Sequence, residues 1–361
     1  MTDRVFNYCA GPSTLPLPVL EKAKAELLSW RGEGLSVMEM NHRGPLFAQI
    51  LAEAKADFAK LLSIPDTHAI LFMQGGATAQ FAAVPMNLLG DKGKANYIVS
   101  GNFSKIAAAE AEKYCKVNII ASSADRDFTY IPKAEDLRPD PDAAYMHYCS
   151  NNTVFGTAFS YIPESGDVPL VADMSSEILS KPVPVSRYGL IYGGAQKNIG
   201  PAGVTFLILD KSLLGKAMDI TPTQLNYTLT EEKDSLWNTP PTFSIYMLGL
   251  TLKWLIAEGG VEEMAKRKKE RSRVIYDLID NSSFYTPRAE VAARSDMNIC
   301  FKTPSAELDQ LFIKTARAKG LFNLHGHKVA GGLRASLYNA MTMEGTYALA
   351  EFMKEFEREN V

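Results

Sequence analysis

The chain is poor in the features that would mark it for a membrane, a metal or a polyanion. None of its 361 residues fall in an apolar run of about 18, the length a bilayer-crossing helix needs, so no membrane span is expected. There are only four cysteines, Cys9, Cys115, Cys149 and Cys300; they lie far apart and form no CxxC, which argues against both a metal centre and a disulfide framework. An excess of one charge is lacking too. The 38 basic and 41 acidic residues leave a net −3, which disfavours nucleic acid or a membrane surface as a partner. The basic run Lys266–Arg273 continues a helical pattern with Val261, Met264, Val274, Ile275 and Leu278, and reads as a solvated helix face. The opening MTDRVFNYCAGP has no apolar signal-peptide core, so a cytoplasmic location is the expectation. Repeats and low-complexity tracts are missing as well. What remains is ordinary for a globular protein, 46% apolar and 22% charged, and long enough for one large domain plus a smaller one.

The most informative stretch is Tyr188–Gly203, YGLIYGGAQKNIGPAG. An apolar run precedes it and another, Val204–Leu209, follows, so two buried strands joined by a tight loop are expected, with Lys197 at the tip. An amine pressed among packed apolar residues loses hydration, its pKa falls, and it becomes a nucleophile toward carbonyls. Before this loop, short apolar runs (Ala69–Met73, Tyr97–Ser100, Val117–Ile120, Ala144–Cys149, Val168–Ala172, Leu190–Tyr192) are interleaved with helical patterns at Leu46–Leu62, Ala77–Leu88 and from Gly101-Asn102 to Tyr114. Such alternation predicts an α/β fold with a mostly parallel sheet flanked by helices. A helix is also expected over Val19–Trp30, and an irregular stretch over Asp210–Pro241. The pattern changes near Gly259 to a smaller C-terminal α+β domain. The expected division is a large domain over 16–258 and a small one over 259–361, with residues 1–15 associated with the small domain or with the cleft.

Three features lie at strand ends, where ligands of parallel sheets bind. Gln74-Gly75-Gly76-Ala77-Thr78 joins a strand to a helix start, and free N–H groups there suit a phosphate; the spacing is neither that of a dinucleotide loop nor that of a Walker lysine loop. Asp173 leaves a buried strand, where it can either cap the next segment or pair with a cationic ring nitrogen. Lys197 follows, with room for one strand between the two. A phosphate cradle, a strand-end aspartate and a loop lysine are the parts that pyridoxal phosphate needs.

The segments NYCAGPSTLP, MEMNHRGPLF, QGGATAQF, ADMSSEILS, YGGAQKNIGPAG, NTPPTFSIY and HGHKVAGGLRASLYNA run nearly end to end. With them the chain resembles the phosphoserine aminotransferases, a class V family of fold-type-I pyridoxal phosphate enzymes. The resemblance implies that Lys197 holds the cofactor's aldehyde and Asp173 faces its pyridine nitrogen. It implies that Gly76, Ala77 and Gln196 hold the phosphate, that Phe103 stacks on the ring and that Thr153 meets the phenolic oxygen. Asn238 and Thr239 would reach the phosphate from the other subunit of a homodimer with shared active sites. Arg334 would clamp the α-carboxylate, and His42, Arg43, His327 and Lys328 would form the pocket for the substrate's phosphate. The sequence departs from the family's usual pattern in having Phe103 for Trp, Lys328 for Arg, and Asn41 with Gly44-Pro45 around His42-Arg43. The implied activity is exchange of the amino group between O-phospho-L-serine and 2-oxoglutarate, in serine biosynthesis and in some bacteria also in a step toward pyridoxine. Two rivals are another pyridoxal phosphate enzyme, an aminotransferase or a cysteine desulfurase, and a non-catalytic sensor on the same scaffold. The desulfurase needs a cysteine on a mobile loop, and none of the four is so placed; the sensor would have little use for the Lys197 and Asp173 pair.

Overall fold

The computed structural model describes residues 4–361. Helices α1 (Leu17–Glu26) and α2 (Pro45–Leu62) precede strand β1 (His68–Met73); then come α3 (Gly76–Leu88), β2 (Lys94–Val99), α4 (Asn102–Ala111) and β3 (Lys116–Ser122). Four further strands follow, β4 (Met146–Cys149), β5 (Leu170–Asp173), β6 (Leu190–Gly194) and β7 (Thr205–Asp210). Helices α5 (Tyr227–Glu232), α6 (Thr242–Ala257) and α7 (Gly260–Asp280) lead to β8 (Thr286–Pro287), β9 (Asn298–Lys302), α8 (Ala306–Ala318), β10 (Leu333–Ser336) and α9 (Met343–Asn360).

Strands β1 to β7 form one sheet in the order β1-β7-β6-β5-β4-β2-β3. Strand β7 runs antiparallel to both its neighbours and every other pairing is parallel. Because side chains alternate along a strand, each strand feeds two cores. Phe72, Ile98, Met146, Ala172, Ile191, Phe206 and Ile208 point to one face and pack with α2 and α6. Leu71, Tyr97, Val171, Leu190, Tyr192 and Leu207 point to the other and pack with α3 and α4. Burial on both faces explains why the inner strands read as short unbroken apolar runs; the edge strand β3 is partly exposed. A second, antiparallel sheet, β8-β9-β10, packs with α7, α8 and α9 around a third core. The N-terminal pair Phe6–Asn7 adds to this region by pairing in parallel with Leu321–Phe322.

Three expectations need correction. Helix α1 ends at Glu26, because the Trp30 N–H turns back to bond Leu35 O at 3.0 Å and Trp30 enters the core in a separate turn, Trp30–Gly32. Helix α4 ends at Ala111; beyond it the Tyr114 N–H bonds Ala111 O, a tighter turn than the α-helix makes. The stretch 210–241 is not irregular throughout: Asn226 Oδ1 accepts the Leu229 N–H at 3.2 Å and caps α5.

Phe206 sits at the centre of this arrangement, fully buried and edge-on to Phe58 with ring centroids 5.5 Å apart. Phe206→Ala should lower stability by about 3–5 kcal/mol, seen as an earlier urea-unfolding midpoint by circular dichroism; an unchanged midpoint would show that the two helical layers do not depend on that ring.

Candidate active site

The carboxyl ends of β4, β5 and β6 deliver Thr153, Asp173 and Lys197 to one place. Lys197 lies between β6 and β7, partly buried, and its Nζ donates to Thr153 Oγ1 at 2.9 Å. The same Nζ stands 5.0 Å from the centroid of the Phe103 ring, which the first turn of α4 presents. The lysine loop is fixed from the N-terminal segment. The Ser13 N–H bonds Gln196 O at 2.9 Å, and Ser13 Oγ donates to Lys197 O. Gly11 passes so close that a Cβ there would lie 3.0 Å from Lys197 Cγ, and its φ of +142° also favours glycine.

Asp173 closes β5, buried and beside Cys149 in register. One carboxylate oxygen, Oδ1, accepts the Ser175 N–H at 2.9 Å and the Ser175 hydroxyl at 2.6 Å. Ser175 Oγ in turn accepts the Gly194 N–H at 3.1 Å, tying the aspartate to the strand that leads into the lysine loop. The other oxygen, Oδ2, has only the Cys149 thiol at 4.0 Å, so a strong acceptor is left for an outside donor. Below this layer His147 stacks on Tyr97 and meets Tyr192 Oη at 2.8 Å; burial depresses its pKa to about 3 and keeps it neutral.

Burial lowers the pKa of Lys197, Asp173 opposes that shift with its negative charge, and Arg334 adds to the lowering. Arg334, on β10, is buried; its Nη1 donates to Thr153 O at 3.1 Å while its Nε has no partner. The loop before it is folded on itself, with the Gly326 N–H on Gly332 O at 2.8 Å. Within that loop His327 Nδ1 accepts the Val329 N–H at 3.2 Å, so a neutral ring would carry its proton on Nε2. Burial and the nearby Arg334 and Lys328 charges lower the His327 pKa. Lys328 itself is exposed.

The remaining candidates form a second group. Gly75 and Gly76 carry φ of +89° and +66° at the start of α3, and the N–H groups of Gly76 and Ala77 have no acceptor within the helix. The Gln196 side chain folds over Gly194, where a Cβ would lie 2.3 Å from its Oε1. Asn238 Nδ2 donates to Gln74 Oε1 at 2.9 Å and Gln74 Nε2 to Thr239 O at 3.0 Å, so this exposed segment already lies against the turn before Gly75. Arg43 Nη2 donates to Trp237 O at 3.3 Å, and His42 Nε2 is buried without a partner. Among the described residues no hydrogen bond or ion pair joins His42 or Arg43 to His327 or Lys328. Sequence reasoning missed Ser13 and Ser175. The second had a signal, since an aspartate accepting the N–H two residues on is a common local turn; the first had none.

A lysine, an aspartate and a helix N-terminus arranged in this way at the strand ends define a class. The chain belongs to the class-V aminotransferases: the Aminotransferase class-V family profile matches residues 5–349. Within that class the phosphoserine aminotransferase of Hahella chejuensis is 51% identical over 360 residues, covering 100% of both chains. The solved phosphoserine aminotransferase from Bacillus circulans subsp. alkalophilus superposes with a TM-score of 0.98 at 42% identity, again over 100% of each chain. The PLP-bound phosphoserine aminotransferase from Trichomonas vaginalis does so with a TM-score of 0.93 at 35% identity, over 97% of this chain and 100% of that one.

The opposed influences on Lys197 give a signed prediction. Asp173→Asn removes the charge that raises the lysine's pKa and leaves burial unopposed, so the pKa should fall further. Reductive methylation of the cofactor-free protein across a pH series, read at Lys197 by mass spectrometry, should show its midpoint move to lower pH; an upward move would contradict the electrostatic coupling.

Proposed function

We propose that this chain catalyses reversible, pyridoxal phosphate-dependent transamination of O-phospho-L-serine with 2-oxoglutarate, giving 3-phosphooxypyruvate and L-glutamate. The observation that carries it is the Lys197 amine held between Thr153, Phe103 and the Asp173 strand end, in a chain about half identical, end to end, to enzymes of that name. The residues present fit the cofactor. The unclaimed Oδ2 of Asp173 suits a cationic ring N–H, the open first turn of α3 at Gly76 and Ala77 suits a phosphate, and Phe103 offers a face for the ring. Gln196, Asn238 and Thr239 would complete the phosphate site. When bound, pyridoxal phosphate supplies an aldehyde that condenses with amines and an electron-accepting ring.

The chain's own groups then have distinct tasks. Lys197 Nζ, whose pKa burial lowers, would take the proton that leaves the substrate's Cα and deliver it to the cofactor's aldehyde carbon. Asp173 keeps the ring nitrogen protonated by pairing with it. Arg334, with Nε unpaired and Nη1 fixed by Thr153 O, meets the α-carboxylate through its planar fork. His42, Arg43, His327 and Lys328 receive the distal anion, and one cationic pocket serves both substrates because phosphoserine and glutamate each end in one.

The same reading includes assembly and placement. Among the described residues no hydrogen bond or ion pair joins His42 or Arg43 to His327, yet Arg43 is bonded to the Trp237 carbonyl, and Met38 and Trp237 are 57% and 43% exposed. A homodimer that covers Met38 and Trp237 and exchanges His42 and Arg43 between the two sites accounts for both facts. Separate sheets and cores support the division into a cofactor-binding domain over 16–258 and a smaller one over 259–361. Serine biosynthesis in the cytoplasm is the proposed setting; among the described residues no helix is long and apolar enough to cross a membrane. The distal-phosphate pocket would also admit 4-phosphohydroxy-L-threonine, a substrate on the way to pyridoxine.

Half-reaction rates with phosphoserine, serine and alanine test the assignment. Phosphoserine should exceed the other two in kcat/KM by about a hundredfold or more, the effect of losing two charge-assisted contacts. A ratio near one would remove the distal-anion pocket and leave an aminotransferase of other specificity. Lys197→Ala should abolish turnover while noncovalent cofactor binding persists, measured by absorbance and equilibrium dialysis; normal turnover in that variant would end the role given to the amine.

A further inference from the structure

Arg288 lies just past β8, where its N–H bonds Cys300 O at 3.0 Å, and its side chain spans three parts of the molecule. Nη1 donates to Ala330 O at 3.0 Å. Nη2 donates to Asp127 Oδ2 at 2.6 Å and to Asp127 O at 3.3 Å. The guanidinium carbon stands 4.8 Å from the centroid of Phe155, whose ring packs on Phe128 at 4.9 Å. Asp127 and Phe128 both have positive φ, 52° and 59°, a conformation that residues with a Cβ keep only where their surroundings hold it.

The two ends of this span matter to the site. Phe155 is two residues beyond Thr153, which receives the Lys197 amine. Ala330 belongs to the turn that begins at His327, whose carbonyl accepts the Ala330 N–H at 2.9 Å and the Gly331 N–H at 2.8 Å. The other bonds that hold the turn lie within its own loop, such as Gly326 N–H on Gly332 O, and a cavity of about 270 Å³ opens beside Ala330, Gly331 and Cys300. A charged hydrogen bond from Arg288 therefore anchors a turn that packing leaves free on one side.

We propose that Arg288 is a positioning residue for the distal-anion end of the site: it holds the His327–Lys328 turn in fixed relation to the Thr153–Phe155 segment, and so sets affinity for the anion without touching it. This rests on the assignment of His327 and Lys328 to the substrate's phosphate. Arg288→Met removes the bonds to Ala330 and Asp127; Arg288→Lys keeps the charge but not the fork; Asp127→Asn weakens one arm only.

In the holoenzyme, Arg288→Met should raise KM for phosphoserine about tenfold with kcat held within about twofold, the scale of one charge-assisted bond. Values of kcat/KM for alanine and the cofactor's visible absorbance should not move. Tryptic cleavage after Lys328, followed by mass spectrometry, should accelerate several-fold, and Arg288→Lys and Asp127→Asn should shift both readouts the same way by less. Equal losses for phosphoserine and alanine, or unchanged KM together with unchanged cleavage, would overturn the proposal; if Arg288→Met fails to fold, the two milder variants decide it by the same criteria. A wild-type enzyme with no preference for phosphoserine would instead sink the functional assignment, and the cleavage comparison would still decide whether Arg288 holds the turn.

Discussion

Everything at the site depends on an amine that is taken out of water without being left alone. Burial acts to strip the proton from Lys197, and the Asp173 carboxylate acts to keep it. The two influences do different work: burial favours the neutral amine that can attack a carbonyl, and the carboxylate supplies the negative charge with which a cationic ring nitrogen can pair. The balance is fixed by the sheet. Asp173 ends β5, Lys197 follows β6, and the two strands are paired in parallel with Asp173 opposite Tyr192. Ser175 adds the finer constraint, since it occupies one carboxylate oxygen and also accepts the Gly194 N–H, so aspartate and lysine loop are located by the same hydroxyl.

How much of this could be read from the residues alone depends on the range of the forces involved. The lysine loop, the strand-end aspartate and the alternation of strand and helix are local patterns, and the strands lie where the apolar runs predict them to within a few residues. Elements whose limits are set by distant partners were not legible. Trp30 continues the helical pattern of α1, yet its N–H goes to Leu35 and its ring to the core, so the helix stops at Glu26. Ser13 and Gly11 read as part of an extended lead-in, because nothing nearby says that this lead-in will lie across residues 196 and 197. Asn226 was legible and overlooked: a residue of the preferred capping type begins α5 within a stretch whose prolines and polar residues suggested only loop.

The two sheets divide the work by stiffness. Apart from Asn238 and Thr239, the groups proposed to bind the cofactor follow the inner strands of the main sheet, which are buried on both faces, or lie at the helix starts after them. The groups proposed to bind substrate lie on β10, in the loop before it, and in the turn at His42-Arg43. Arg334 joins the two sets, being itself in a strand and bonded to Thr153 O, so the α-carboxylate end of a substrate would be located as rigidly as the lysine. The distal end would not, because its loop is held by its own turn bonds and by the reach of Arg288. An enzyme that must accept two substrates of different length, each with the same α-carbon geometry, needs its rigid and adjustable ends in this order.

Charge counting at the adjustable end leads back to assembly. His327 has Nδ1 committed to the Val329 N–H, leaving Nε2 to face a ligand, and burial and its cationic neighbours lower its pKa. Lys328 brings one positive charge, as a point rather than as the fork an arginine would present. A phosphate monoester carries nearly two negative charges at that pH. Within one chain the distal anion would therefore be under-neutralised, and Arg334 is already assigned to the α-carboxylate. Arg43, exposed and bonded to a carbonyl of the neighbouring segment, is the cation proposed to restore the balance, and the half-buried His42, its Nε2 unpaired, is next to it in the chain. Since no hydrogen bond or ion pair joins either to the His327 turn among the described residues, the proposed dimer would also be the source of the missing charge, with a second copy of the chain supplying the arginine.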